Sequence, residues 1–122
     1  MPSLAVFNGH AYAGGLILGL MHDQRIMTDD PKKAVCLSEI SVGFPLSVAY
    51  NSVLKATLSA KSFRELVLGA PWNAERALKG DVIDDIFSGQ ADCDAKIKAF
   101  AKKFAPVGAQ REGIKRNKEK AL

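Results

Sequence analysis

The stretch Ala5-Val6-Phe7-Asn8-Gly9-His10-Ala11-Tyr12-Ala13-Gly14-Gly15-Leu16 decides how this chain is read. Residues 4–8 are a short apolar run stopped by Asn8-Gly9, the pattern of a buried strand entering a turn. Behind the turn, Ala11–Met21 is nearly continuous apolar sequence, which predicts a buried helix opening at Gly14-Gly15. Glycines at the mouth of a helix leave backbone N–H groups uncovered, where the helix dipole also favours negative charge. Two readings follow. Either these donors hold a phosphate or an oxyanion, or the glycines only let helix and strand pack closely. The spacing is neither G-x-G-x-x-G nor a P-loop, and no Lys-Ser/Thr follows, so a nucleotide reading is weak.

Outward from this block, Gln24–Thr28 is expected as a second strand closed by Asp29-Asp30-Pro31. Val35–Val42 is expected as an extended segment punctuated by Gly43-Phe44-Pro45. The pattern then turns helical. Pro45 suits the first turn of a helix through Ser47–Leu58, and Ser59 or Ser62 caps the next. Asn73 caps a short helix over Ala74–Lys79, which Gly80 ends. Val82–Phe87 reads as a third strand, flanked by Asp81, Asp84 and Asp85 as a solvated edge. A helix from Asp92 or Asp94 to Ala105 carries Ile97, Phe100, Ala101 and Phe104 at helical spacing, and Pro106 is expected to break it. A polar helix over Val107–Lys120 follows. Strands precede helices and alternate with them, without repeats or linkers, so the class is α/β.

The second chemical signal is Glu39, inside Val35-Cys-Leu-Ser-Glu-Ile-Ser-Val42. A carboxylate in an apolar run is paired, turned to solvent, or held in a pocket where desolvation makes it a candidate base. The first two are bland readings, and a solvent-facing Glu on an alternating strand is the simplest of them. His10 and His22 have no carboxylate or second ligand at motif spacing, and His22-Asp23 reads as satisfying buried hydrogen bonds at a helix end. Ser38 and Ser41 lack a G-x-S-x-G setting, which argues against a serine hydrolase.

Composition excludes other classes. With 122 residues, 48% apolar and 25% charged, the chain is neither disordered nor a coiled-coil rod, and it is one small domain or part of one. Residues 110–122 hold +3 of the net +4, but without interleaved aromatics and diluted by Glu112 and Glu119. A solvated helix face is expected there, and no nucleic acid partner. Cys36 and Cys93 have no zinc-spaced companions, so no metal is expected and both read as buried thiols of a reducing, intracellular protein. Neither a secretory signal nor a transit peptide is visible at the start of the sequence given. The eleven apolar residues Ala11–Met21 are too few to span a bilayer. The terminal Lys-Ala-Leu does not match a peroxisomal signal, and mitochondrial, peroxisomal and cytosolic settings all stay open.

Taken together, the blocks resemble the crotonase, or enoyl-CoA hydratase/isomerase, superfamily. That family has a strand into Asn-Gly-His/Tyr-Ala, a Gly-rich turn, and a helix ending in Cys-Asp-Ile/Arg. Here these appear as Asn8-Gly9-His10-Ala11-Tyr12-Ala13-Gly14-Gly15 and His22-Asp23-Gln24-Arg25-Ile26. Its Leu-Pro-Glu-Ile/Val-x-x-Gly element appears as Leu37-Ser38-Glu39-Ile40-Ser41-Val42-Gly43. Its Ala-Glu-Glu-Ala-x-x-x-Gly-Leu-Val-Asp segment appears as Ala74-Glu75-Arg76-Ala77-Leu78-Lys79-Gly80-Asp81-Val82-Ile83-Asp84.

The resemblance implies an incomplete crotonase-like (ClpP/crotonase) ββα spiral with C-terminal helices: residues 1–105 a partial crotonase-like domain, 106–122 a basic helical segment. It implies an acyl-CoA substrate, with no cofactor beyond the coenzyme A thioester. It further implies a homotrimer or hexamer, or a complementary N-terminal half. Hydratases of the family use two glutamates, and the first position is Ile17 here, while Glu39 is kept. A single glutamate there resembles the Δ3,Δ2-enoyl-CoA isomerases of fatty acid β-oxidation. On that resemblance Glu39 shuttles the proton and the Gly14 N–H stabilises the thioester oxyanion. Gly15, Leu16, Ile17, Leu37 and Phe44 line the substrate. The rivals are another crotonase reaction, such as hydration, and a truncated non-catalytic subunit that binds protein partners.

Overall fold

The chain folds as strand–strand–helix units laid one on the next. In this computed structural model, which describes residues 1–39, 43 and 45–121, β1 (Leu4–Phe7), β2 (Ala11–Tyr12) and α1 (Gly14–Leu20) form the first unit. β3 (Gln24–Thr28) and β4 (Val35–Cys36) open the second, followed by α2 (Val48–Thr57) and α3 (Ala60–Leu66). Then come α4 (Ala74–Lys79), β5 (Asp85–Phe87), α5 (Gly89–Gly108) and α6 (Arg111–Ala121). Each unit gives one strand to each of two sheets. β1, β3 and β5 pair in parallel in one, and β2 pairs in parallel with β4 in the other.

Alternation along β3 divides the layers, because successive side chains of a strand point to opposite faces. Met27 enters the main core with Phe7, Leu16 and Leu20, while Ile26 joins Phe87 and Cys93 under α5. Gly19 lets α1 lie close to the sheet, since a Cβ there would fall inside the Phe7 ring. Gly19→Ala is expected to destabilise the protein by about 1–3 kcal/mol through overpacking, more than the roughly 1 kcal/mol that alanine gains in helix propensity. A thermal midpoint at or above the wild-type value would refute this.

The strands expected over 4–8 and 24–28 form, the first as Leu4–Phe7, as do the caps at Ser59 and Asn73. Ser47, expected inside a helix with Pro45 in its first turn, instead caps α2, because its hydroxyl accepts the Tyr50 amide, and Pro45 lies ahead of the helix. Other boundaries differ from expectation. The extended segment at Val35 stops as a strand at Cys36, and Ser38-Glu39 is a turn; residues 40–42 and Phe44 lie outside the described residues. The third strand begins at Asp85 rather than Val82. The reason is Asp84, whose carboxylate accepts the Arg25 amide at 2.8 Å while its own N–H donates to the Arg25 carbonyl. Asp84 is therefore a structural acceptor and not only a solvated edge. Gly80 ends α4 as expected, though with a negative φ, and the left-handed residue is Asp81 at φ 60. Glycine is needed at 80 because a Cβ would press on the Trp72 ring and the Ser62 hydroxyl.

α5 opens at Gly89 rather than at Asp92 or Asp94, Pro106 lies within its last turn rather than breaking it, and the final helix therefore starts at Arg111 rather than Val107. The fixed φ of Pro106 is helical, so it costs one hydrogen bond and some crowding rather than the helix, which ends two residues later. α6 then folds back, and Lys118 Nζ reaches Asp23 at 2.8 Å and the Met1 carbonyl at 2.9 Å. Partial burial acts to raise the Asp23 pKa, but Lys118 and the Ser3 donors outweigh it and hold the carboxyl below its ordinary value of 3.8. Stability from this contact is complete above that value and lost as pH falls through the lowered one. Amide exchange in α6 is expected to accelerate in that acid window while β3 stays protected. Unchanged exchange would mean that α6 is held by other contacts.

Among the described residues, no helix is long and apolar enough to cross a membrane.

Candidate active site

Parallel pairing brings the two chemical signals together. Ala11 opposes Val35 and Tyr12 opposes Cys36, so both strands leave the small sheet at the same end. Ala13 N–H donates to the Cys36 carbonyl at 2.8 Å, one residue before Gly14 and three before Glu39. The second signal thus follows the first out of one ladder, although the two lie far apart in sequence.

Ala13 has φ 52 and ψ −121, a region that side-chain-bearing residues seldom occupy. The ψ of Ala13 sets the plane of the next peptide, and hence the direction of the Gly14 N–H. α1 has no side-chain cap, and its first internal bond is Ile17 N–H to the Ala13 carbonyl. Among the described residues, the Gly14 and Gly15 amides donate to no backbone or side-chain acceptor. A Cβ on Gly15 would meet open space, whereas one on Gly14 would come within 3.0 Å of the Tyr50 hydroxyl. Close helix–strand packing is therefore the work of Gly19, and Gly14-Gly15 leave backbone donors uncovered.

Glu39 is half-buried in the turn after β4, with Oε2 shielded from solvent and without a hydrogen-bond partner among the described residues. A buried carboxylate oxygen without a donor is an unsatisfied acceptor. Its charge is felt by Cys36, whose thiol is pushed up by burial and then by the Glu39 carboxylate. Cys36 stays a thiol and donates to the Gly69 carbonyl at 3.2 Å, a structural donor rather than a nucleophile.

Of the other expected site residues, Leu16, Ile17 and Leu37 are in the main core, and Gly15 is exposed. Leu37 also borders an apolar cleft of about 470 Å³ with Leu46, Asn51, Phe63 and Val67. Phe44 lies outside the described residues. His10 Nδ1 accepts the Ala34 amide at 3.2 Å, a structural use of a side chain considered as a base or a ligand. Among the described residues, no three His, Cys, Asp or Glu side chains converge as metal ligands.

Two residues escaped the sequence reading. Arg25 is only 8% exposed, and its guanidinium donates to the carbonyls of Val82 (2.7 Å), His22 (2.9 Å) and Leu20 (3.4 Å), tying β3 to the end of α1. Tyr50 comes from α2, a helix read only for its apolar spacing.

Residues 1–116 match the family model described as Enoyl-CoA hydratase/isomerase. The chain belongs to the enoyl-CoA hydratase/isomerase family. Its crotonase fold is also that of human mitochondrial delta3-delta2-enoyl-CoA isomerase, with a TM-score of 0.81 and 25% identity over 97% of this chain and 46% of that one. An enoyl-CoA hydratase/carnithine racemase of Magnetospirillum magneticum shares the fold at a TM-score of 0.77 and 19% identity, over 86% of this chain and 39% of that one. Among curated members of the family, peroxisomal enoyl-CoA delta isomerase 2 of Arabidopsis thaliana is 34% identical over 69% of this chain. Enoyl-CoA delta isomerase 3 of the same plant is 32% identical over 75% of it. The chain spans 35% and 39% of the lengths of these two relatives.

Proposed function

We propose that this chain carries the base and one oxyanion donor of an enoyl-CoA isomerase, which moves a double bond from C3–C4 to C2–C3 of an acyl-CoA. The observation that supports it most is the buried Glu39 Oε2, without a partner among the described residues, in the turn that follows β4 out of the ladder whose other strand leads to Gly14. The Glu39 carboxylate takes a proton from C2. The C2–H electron pair becomes a C1=C2 π bond and the carbonyl π pair moves onto the thioester oxygen, giving a dienolate in which C3=C4 is still in place. The Gly14 N–H donates to that oxygen where charge develops. Protonated Glu39 then returns its proton at C4. As it does, the carbonyl re-forms, the C1=C2 pair becomes C2=C3 and the C3=C4 pair takes up the proton, which leaves the conjugated 2-enoyl thioester. No net proton or electron is consumed.

Ile17 supports isomerisation over hydration, because a core isoleucine cannot activate water. The Leu37-bordered cleft is apolar and suits an acyl tail. The whole protein is expected to work as an assembly, either a trimer or hexamer or a pairing with a complementary crotonase half. The test supplies a 3-enoyl-CoA to the purified protein and follows absorbance of the conjugated thioester, with crotonyl-CoA as the parallel substrate. Conjugation without water addition is expected. Hydration of crotonyl-CoA would turn the assignment to a hydratase, and no binding of either thioester would turn it to a non-catalytic subunit.

A further inference from the structure

Tyr50 stands in the first turn of α2, where its amide donates to the Ser47 hydroxyl at 3.1 Å. Its ring is half-buried and packs against the main core. The phenol oxygen lies 3.0 Å from the position a Cβ on Gly14 would take. A backbone nitrogen is about 2.5 Å from its own Cβ, so the hydroxyl is within about 5.5 Å of the Gly14 nitrogen. One oxygen atom can therefore stand about 3 Å from both donors. Packing accounts for the ring but not for the hydroxyl, which has no partner among the described residues; phenylalanine would fill the same space. The absence of a side chain at Gly14 is what admits this oxygen.

We propose that Tyr50 is a further oxyanion donor carried by this chain, its hydroxyl meeting the thioester oxygen of the acyl-CoA beside the Gly14 N–H. This rests on the reading of Glu39 and Gly14 as base and donor. The hydroxyl bond strengthens as the thioester oxygen becomes enolate-like, so its contribution falls on the chemical step more than on substrate binding. Tyr50 moves no proton in the cycle; it donates a hydrogen bond to an oxygen that is neutral at the start and neutral at the end.

The experiment compares wild type, Tyr50→Phe and Glu39→Gln in isomerisation of a 3-enoyl-CoA and in binding of acetoacetyl-CoA, whose enolate mimics the intermediate. Tyr50→Phe is expected to lower kcat about 100-fold with KM within about twofold, the signature of a donor used in the transition state. It is also expected to bind acetoacetyl-CoA about tenfold more weakly, with an unchanged thermal midpoint. Glu39→Gln is expected to abolish turnover but keep that affinity. Tyr50→Phe at wild-type kcat and affinity, with Glu39→Gln inactive, would overturn the Tyr50 assignment alone. A wild-type protein that neither isomerises nor binds acetoacetyl-CoA would overturn the underlying reading with it.

Discussion

A Glu39→Gln variant is expected to retain less than about one thousandth of the wild-type isomerisation rate, because general acid–base catalysis contributes about 10²–10⁴ and one carboxylate serves both transfers here. Glutamine keeps the shape of the side chain and removes its basicity. The same variant is expected to melt at or slightly above the wild-type temperature, since Oε2 is buried without a partner among the described residues and burying a charge in that state is costly. Loss of rate with retained stability separates a chemical role from a structural one. Wild-type turnover in Glu39→Gln would refute the assignment, and a large fall in melting temperature would show that the carboxylate is held by a structural contact.

The second large effect is expected at Arg25, far from the reacting atoms. Arg25→Ala leaves the Val82, His22 and Leu20 carbonyls without the guanidinium that now serves them. Each buried acceptor stripped of its donor costs about 1–3 kcal/mol. The variant is therefore expected to lose about 3 kcal/mol or more, and about 10 °C or more in melting temperature. Arg25→Lys recovers only part of the loss, because a single ammonium cannot present a planar fork to carbonyls on three sides. Burial pulls the Arg25 pKa below its ordinary value, and the Asp84 carboxylate offsets this only in part. A melting temperature within about 2 °C of wild type would show that these bonds are replaced by water.

Much of the architecture was legible from local rules. The Asn73 cap, the residues of α4 and the full length of β3 follow from short-range patterns that the tertiary fold leaves alone. Boundaries moved where a distant group intervened. β5 starts late because Asp84 turns its side chain to the Arg25 amide, a contact across 59 residues that no window of sequence contains. The Gly14-Gly15 pair left two readings open, and the structure separates them by assigning close packing to Gly19, whose need for glycine depends on the Phe7 ring. Glu39 was visible as an acid in an apolar run. Its placement in a turn, rather than on a strand facing solvent, was not visible, because the β2–β4 ladder has only two residue pairs and little intrinsic strand signal.

By itself, the sequence determined the α/β class, the succession of elements, and the candidacy of Gly14 and Glu39. These depend on periodicity, capping and motif spacing, which are properties of neighbouring residues. Only the tertiary structure decided what stands beside them. The parallel ladder carries the two segments out of one end of the small sheet, the ψ of Ala13 aims the Gly14 amide, and α2 delivers the Tyr50 hydroxyl to a space that glycine leaves empty. The physical reason is that a local pattern specifies which face of an element is apolar, while the packing of that face against others selects which polar atoms meet.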